Sequence, residues 1–94
     1  MKITNEDYIR EIKRFFSKRL GYMYDEDPFT LKIKYRKRHM FNNQFRFLEF
    51  DKSHMKDCIE RIYGTTFYSL YGDISVIFPS SYEELCIIND LKGN

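Results

Sequence analysis

The sequence contains no tryptophan, four glycines, two prolines, two cysteines and two histidines, and each shortage removes a class of explanation. Gly21, Gly64, Gly72 and Gly93 are scattered, so no glycine-rich loop is available to cradle phosphate. So little glycine and proline places most of the chain in regular elements joined by short turns. Cys58 and Cys86 stand in no C-x-x-C or other ligand spacing, which argues for unbridged thiols in a reducing compartment, with a disulfide as the alternative that sequence leaves open. His54 and Cys58 are four residues apart and can share a helix face, but two ligands do not make a zinc site. Ser53, His54 and Asp57 offer triad residue types, yet neighbours on one helical turn cannot reproduce triad geometry. The carboxylate pairs Asp25/Asp27 and Glu83/Glu84 have ordinary roles in a loop and in a helix first turn. The reading is therefore a non-enzymatic chain with no catalytic residue, no metal site and no cofactor.

Long hydrophobic runs are missing too. No stretch approaches the roughly 20 apolar residues of a membrane span, and MKITNEDYIREIK lacks the apolar segment of a signal peptide. The expected location is the cytoplasm, with no membrane partner.

Aromatic residues are plentiful, at 18% from nine Phe and eight Tyr. Large rings supply the apolar area that a 94-residue core needs, and they argue for a single folded domain over residues 1–94. Net charge is only +2, from 16 basic and 14 acidic residues, so charge placement carries more information than charge total. Basic residues cluster at Lys13–Arg19 and Lys32–Arg38, and Asp25, Glu26 and Asp27 form an acidic run.

Thr4 followed by Asp7 resembles a capping box, opening a helix with Ile9, Ile12, Phe16 and Leu20 on one stripe and Gly21 at its end. Its other face carries Arg10, Lys13, Arg14 and Lys18. After Pro28, Phe29, Leu31, Ile33 and Tyr35 alternate with Lys32, Lys34, Arg36 and Arg38, the period of a strand. Asn42-Asn43 gives a turn signal before a second strand from about Gln44 to Phe50. Ser53 or Asp51 can cap the next helix, whose apolar positions are Met55, Cys58, Ile59, Ile62 and Tyr63 and which Gly64 closes. Thr65–Tyr71 and Ile74–Phe78 read as strands joined by Gly72-Asp73. Ser80 and Ser81 open a last helix through Leu85, Ile88 and Leu91. The order α-β-β-α-β-β-α gives an α+β class with a four-stranded antiparallel sheet and helices mainly on one face.

With Asn42-Asn43 as a two-residue loop, Phe41 faces Gln44, Arg38 faces Phe47, Arg36 faces Glu49 and Lys34 faces Asp51. One sheet face then collects Ile33, Tyr35, Leu48 and Phe50. The other collects Lys32, Lys34, Arg36, Arg38, Phe45 and Phe47, with Glu49 and Asp51 at the far end. Cations for phosphates beside rings for unpaired bases are the chemistry of single-strand binding sheets. The competing reading is a wet face of cross-strand ion pairs, with Phe45 and Phe47 covered by a helix.

From Asn42 onward, FNNQFRFLEF, the helix MKDCIERIYG, the strand pair around YGDISVIF and the closing helix SSYEELCIIND resemble the C-terminal double-wing domain of the middle-transcription activators of T-even phages. The resemblance covers about half the chain and lies in pattern and order. It implies DNA binding by the concave sheet surface, carried here by Arg36, Arg38 and Arg46. More broadly the chain looks like a small early phage protein, which implies the host cytoplasm and a regulator or inhibitor of a host component.

Two functions follow as expectations. One is a nucleic-acid-binding regulator or inhibitor that contacts RNA or DNA through Lys32, Lys34, Arg36, Arg38, Phe45 and Phe47, extended by Lys13, Arg14 and Lys18. The other is a protein-binding inhibitor or adaptor that blocks a host protein, a defence protein for example. It would be anchored by Tyr22, Tyr24, Phe41, Tyr68 or Tyr71, with Asp25–Asp27 meeting a basic partner. A strand Thr65–Tyr71 with few charges at a sheet edge would also open a route to a homo-oligomer.

Overall fold

Thr4 starts the first helix as the sequence indicates. Its hydroxyl accepts from the Asp7 N–H at 3.2 Å, while the Asp7 carboxylate accepts from the Thr4 N–H at 2.9 Å. This computed structural model of the chain describes residues 2–20, 23–38, 43–70, 72 and 74–91, with 37, 38, 43 and 44 placed by backbone alone. Among the described residues the elements are α1 (Asn5–Arg19), β1 (Met23–Tyr24), β2 (Thr30–Arg38), β3 (Asn43–Asp51), α2 (Met55–Glu60), β4 (Thr66–Tyr68), β5 (Ser75–Ile77) and α3 (Tyr82–Asp90). A short 3-10 turn, Lys52–His54, leads into α2, and its cap is Asp51, whose carboxylate accepts from the Ser53 N–H at 2.9 Å. Gly21 and Asn42, read as a helix stop and a turn residue, lie outside the described residues.

The class is α+β with an antiparallel sheet. It has five strands rather than four, because Met23 and Tyr24 add a short strand against Ile33 and Lys32. β3 pairs along the whole of β2, from Thr30↔Asp51 to Arg38↔Asn43. β1 and β4 therefore share the other edge of β2, β4 entering at Arg36↔Tyr68, and β5 pairs with β4 beyond it. Thr66–Tyr68 is thus an interior strand and not the open edge that the sequence indicated. Among the described strands, the nine-residue β3 has a partner on one side only.

The first hairpin keeps its expected faces but not its expected pairing. Arg38 pairs with Asn43, so Asn43 belongs to β3 and four residues, 39–42, connect the strands. The core explains the difference. The observed register sets Leu31 against Phe50 and Ile33 against Leu48. Closing the turn at Asn42-Asn43 would instead place Leu31 opposite His54 and Ile33 opposite Lys52, putting polar residues on the buried side. Because the shift moves each pairing by an even number of residues, every side chain stays on its expected face. The second hairpin slips in the same sense, to Tyr68↔Ser75, with Ser69 N–H donating to Ile74 O at 2.9 Å. Tyr71 and Asp73 lie outside the described residues.

All three helices pack on one sheet face. Ile12, Phe15 and Phe16 of α1, Met55 and Ile59 of α2 and Leu85 of α3 close over Leu31, Ile33, Phe50, Phe67 and Phe78. Rings dominate this contact. Phe15 meets Phe78 edge-on at 5.0 Å, Phe16 meets Phe67 at 5.3 Å, and Tyr35 meets Phe67 at 5.2 Å. Edge-on pairs of this kind contribute about 0.5–1.5 kcal/mol each beyond the area they bury. Phe29 departs from the expected alternation, with its ring 75% exposed. It lies in a bend before β2, where the Asp27 carboxylate accepts from the Phe29 N–H at 2.8 Å and from the Thr30 hydroxyl at 2.9 Å. Among the described residues no helix is long and apolar enough to cross a membrane.

Candidate nucleic-acid interface

With the helices on one side, the other sheet face is left open. β2 presents Lys32, Lys34 and Arg36 there, and β3 presents Phe45, Phe47 and Glu49 directly opposite them, as Arg36↔Phe45, Lys34↔Phe47 and Lys32↔Glu49. No helix covers the rings. Phe45 is 52% exposed and Phe47 54% exposed, a large apolar area to leave in water without a partner. The row continues across the sheet through Arg36↔Tyr68 into β4. Tyr24 of β1 joins from the far side, its ring 6.0 Å from that of Phe47.

The cations are arranged in two ways. Lys32 is held loosely by Glu49, Nζ to Oε1 at 3.6 Å, so this end of the face is partly neutralised. Lys34 and Arg36 have no carboxylate partner among the described residues. Lys34 is half-buried, and its Nζ sits 4.8 Å from the centre of the Phe45 ring in a cation–π contact. The Arg36 guanidinium lies against Gly72 in the β4–β5 turn. A Cβ there would collide with Arg36 Nη1 and stand 3.1 Å from Cζ, and Gly72 also adopts φ +75°. Gly72 thus gives Arg36 its position on the face. Arg38 ends the same row by its backbone register, and its side chain lies outside what is described.

Lys13, Arg14 and Lys18, expected to extend this surface, belong to the helical layer on the other side of the sheet. Each already has a partner. Lys13 is paired with Asp25, which Lys52 also contacts. Arg14 contacts Glu11 at 2.9 Å and Asp90 at 2.6 Å. Lys18 Nζ donates to the Asn89 carbonyl at 2.8 Å, and Arg19 donates to that of Ile88 at 2.8 Å. Cations from α1 thereby satisfy the carbonyls at the C-terminus of α3, where the helix dipole favours positive charge. Arg46, singled out with Arg36 and Arg38 by resemblance, is exposed but pairs with Tyr35, and so faces the helical side.

Sequence reasoning offered Tyr24 only as an anchor for a protein partner and missed its place beside this face, because its two-residue strand is too short to leave a periodic signal. With Glu26, Asp27, Thr30, Lys32 and Phe47 it lines a cleft of about 450 Å3 at the β1–β2 end of the open face. Of the other proposed anchors, Tyr68 is half-buried beside Arg36, while Tyr22, Phe41 and Tyr71 lie outside the described residues. The acidic run is also largely occupied. Lys13 and Lys52 hold the Asp25 carboxyl below its ordinary range, and the Phe29 N–H and Thr30 hydroxyl do the same for Asp27. Cys58 and Cys86 are half-buried and unbridged, and burial pushes the Cys86 thiol up. No group of three or more His, Cys, Asp or Glu among the described residues is placed to hold a metal.

No family model, curated protein or solved structure matches this chain.

Proposed function

We propose that this chain is a non-enzymatic regulator or inhibitor that binds single-stranded nucleic acid on the open face of its first hairpin. One observation carries the reading: Phe45 and Phe47 are more than half exposed on the face that bears Lys34 and Arg36. Two rings on alternate residues of one strand stand about 6.6–6.8 Å apart, which allows each to take a separate base. Stacking contributes about 1–3 kcal/mol per base, and the adjoining cations meet the phosphates. Duplex DNA fits less well, because its bases are already stacked and cannot reach the rings.

A mobility-shift series at low salt tests this with single-stranded RNA, single-stranded DNA and duplex. The single strands should bind, and added salt should weaken binding. K34A and R36A should each lower the salt slope by about 0.7–1. No shift with any of the three at low salt would overturn the reading.

Binding to a host protein is the second reading, favoured by the exposure of Phe29 and Tyr24 at 75% and 44%. Its mark is a specific protein partner that is retained after nuclease treatment and lost in the Y24A/F29A variant.

A further inference from the structure

The cleft at the end of the open face differs in chemistry from the stripe that leads to it. Its walls are two rings, Tyr24 and Phe47, tilted 52° to one another. Lys32, Glu26 and Asp27 line it as well. A volume of about 450 Å3 lies in the range of sites that hold small organic groups, roughly 300–1,000 Å3. Acidic groups are poor company for a polynucleotide backbone, so a strand crossing Phe45 and Phe47 would not continue over them by phosphate contacts.

The carboxylates differ in availability. Asp27 is committed to the Phe29 N–H and the Thr30 hydroxyl. Glu26 has no partner among the described residues, although it lines the cleft. An ionised carboxylate only accepts hydrogen bonds, and an ammonium only donates them. A planar group that stacks on an aromatic wall, offers two adjacent N–H donors to one side and an acceptor beside them fits this set. Among the bases that group is guanine: N1–H and the exocyclic N2 amine can meet one carboxylate in a paired contact, and O6 can meet an ammonium. Uracil offers one N–H between two carbonyls. Adenine puts an acceptor, N1, where Glu26 requires a donor. A cationic guest, which two rings and a carboxylate would otherwise suit, is opposed by Lys32 in the wall.

We propose that this cleft seats one guanine base of the bound strand, stacked on Phe47 with the tilted Tyr24 ring against its edge, with Glu26 accepting from its N1–H and N2 amine and Lys32 donating to O6. This rests on the single-strand reading and adds a base preference to it. Lys34, Arg36 and Phe45 then supply affinity without regard to sequence, and the cleft supplies the choice of base.

The test compares a uridine octamer with the same octamer carrying one central guanosine, or one inosine, which lacks the N2 amine. Binding is measured at fixed low salt to the wild-type chain and to E26Q. The guanosine octamer should bind about 5- to 150-fold more tightly than the uridine octamer, the range of one good paired contact to a base. Inosine and E26Q should each remove most of that preference, while E26Q, which removes one negative charge beside the strand, should bind the uridine octamer at least as tightly as the wild type does. Glu26 is exposed, so its replacement does not disturb the core. Equal binding of all three octamers overturns the guanine site and leaves the stacking face standing. A guanosine preference that E26Q retains also overturns it. If no octamer binds, the single-strand reading falls with it, and binding of an arginine-containing peptide that E26Q abolishes would identify a cation site instead.

Discussion

Asn89 has no solvent contact, yet it is polar, and its amide nitrogen donates to both the Glu11 carbonyl at 3.0 Å and the Glu11 carboxylate at 3.1 Å. Glu11 is itself 2% exposed and receives Arg14 and Arg10 as well. This buried network ties α1 to α3, and its members are costly to orphan. Asn89→Ala should therefore reduce the unfolding free energy by about 2–3 kcal/mol in urea titrations; a change under about 0.5 kcal/mol, typical of surface positions, would show the network to be idle. Acid response also has a residue-level cause. The Ser53 hydroxyl and N–H and the His54 ring hold the Asp51 carboxyl down to about 2. A carboxyl depressed on folding stabilises the native state above its unfolded value of about 3.9, and that contribution is lost as pH falls through about 2. The thermal midpoint should fall between pH 4 and pH 2, and Asp51→Asn should flatten part of that fall. An equal slope in both proteins would remove Asp51 from the account.

At the scale of elements, the two positive-φ glycines make a controlled comparison. Gly64 has open space where a Cβ would be, and Gly72 has Arg36. Ala at either position carries a backbone cost of about 1 kcal/mol or more. The guanidinium is the far end of a flexible side chain and can swing aside, so the two variants should lose similar stability. Only Gly72→Ala should weaken single-strand binding, because only it displaces Arg36. Equal affinities would show that Arg36 does not need its place beside the turn. The hairpin also shows what a strand sequence reveals. Alternation gave the faces of Lys32, Lys34, Arg36, Phe45 and Phe47, because parity survives any even shift of register. Pairing did not follow from the asparagines, since it depends on which apolar residues meet in the core, Leu31 with Phe50 and Ile33 with Leu48. The sites of Tyr24 and Asn89 were equally hidden, because each depends on contacts between residues far apart in the chain.

For the molecule as a whole, a net charge of +2 describes little. The basic residues of α1 are spent on Glu11, Asp25, Asp90 and the end of α3, whereas Lys32, Lys34 and Arg36 of β2 stand on the open side. Sheet and helices thereby divide the charge: one layer uses it for internal contacts, the other holds it ready. Composition alone could not separate these uses, because partners such as Asn89 and Asp90 are more than seventy residues from Arg14. The central claim is that the open face binds unpaired bases by stacking, and fluorescence anisotropy of a labelled single-stranded octamer with wild type and F45A/F47A tests it most directly. Both rings are more than half exposed, so the double variant should keep its unfolding midpoint. Its affinity should fall by at least about fivefold per ring, the lower limit for a lost stacking contact. An octamer that binds the folded double variant as tightly as the wild type would contradict the account.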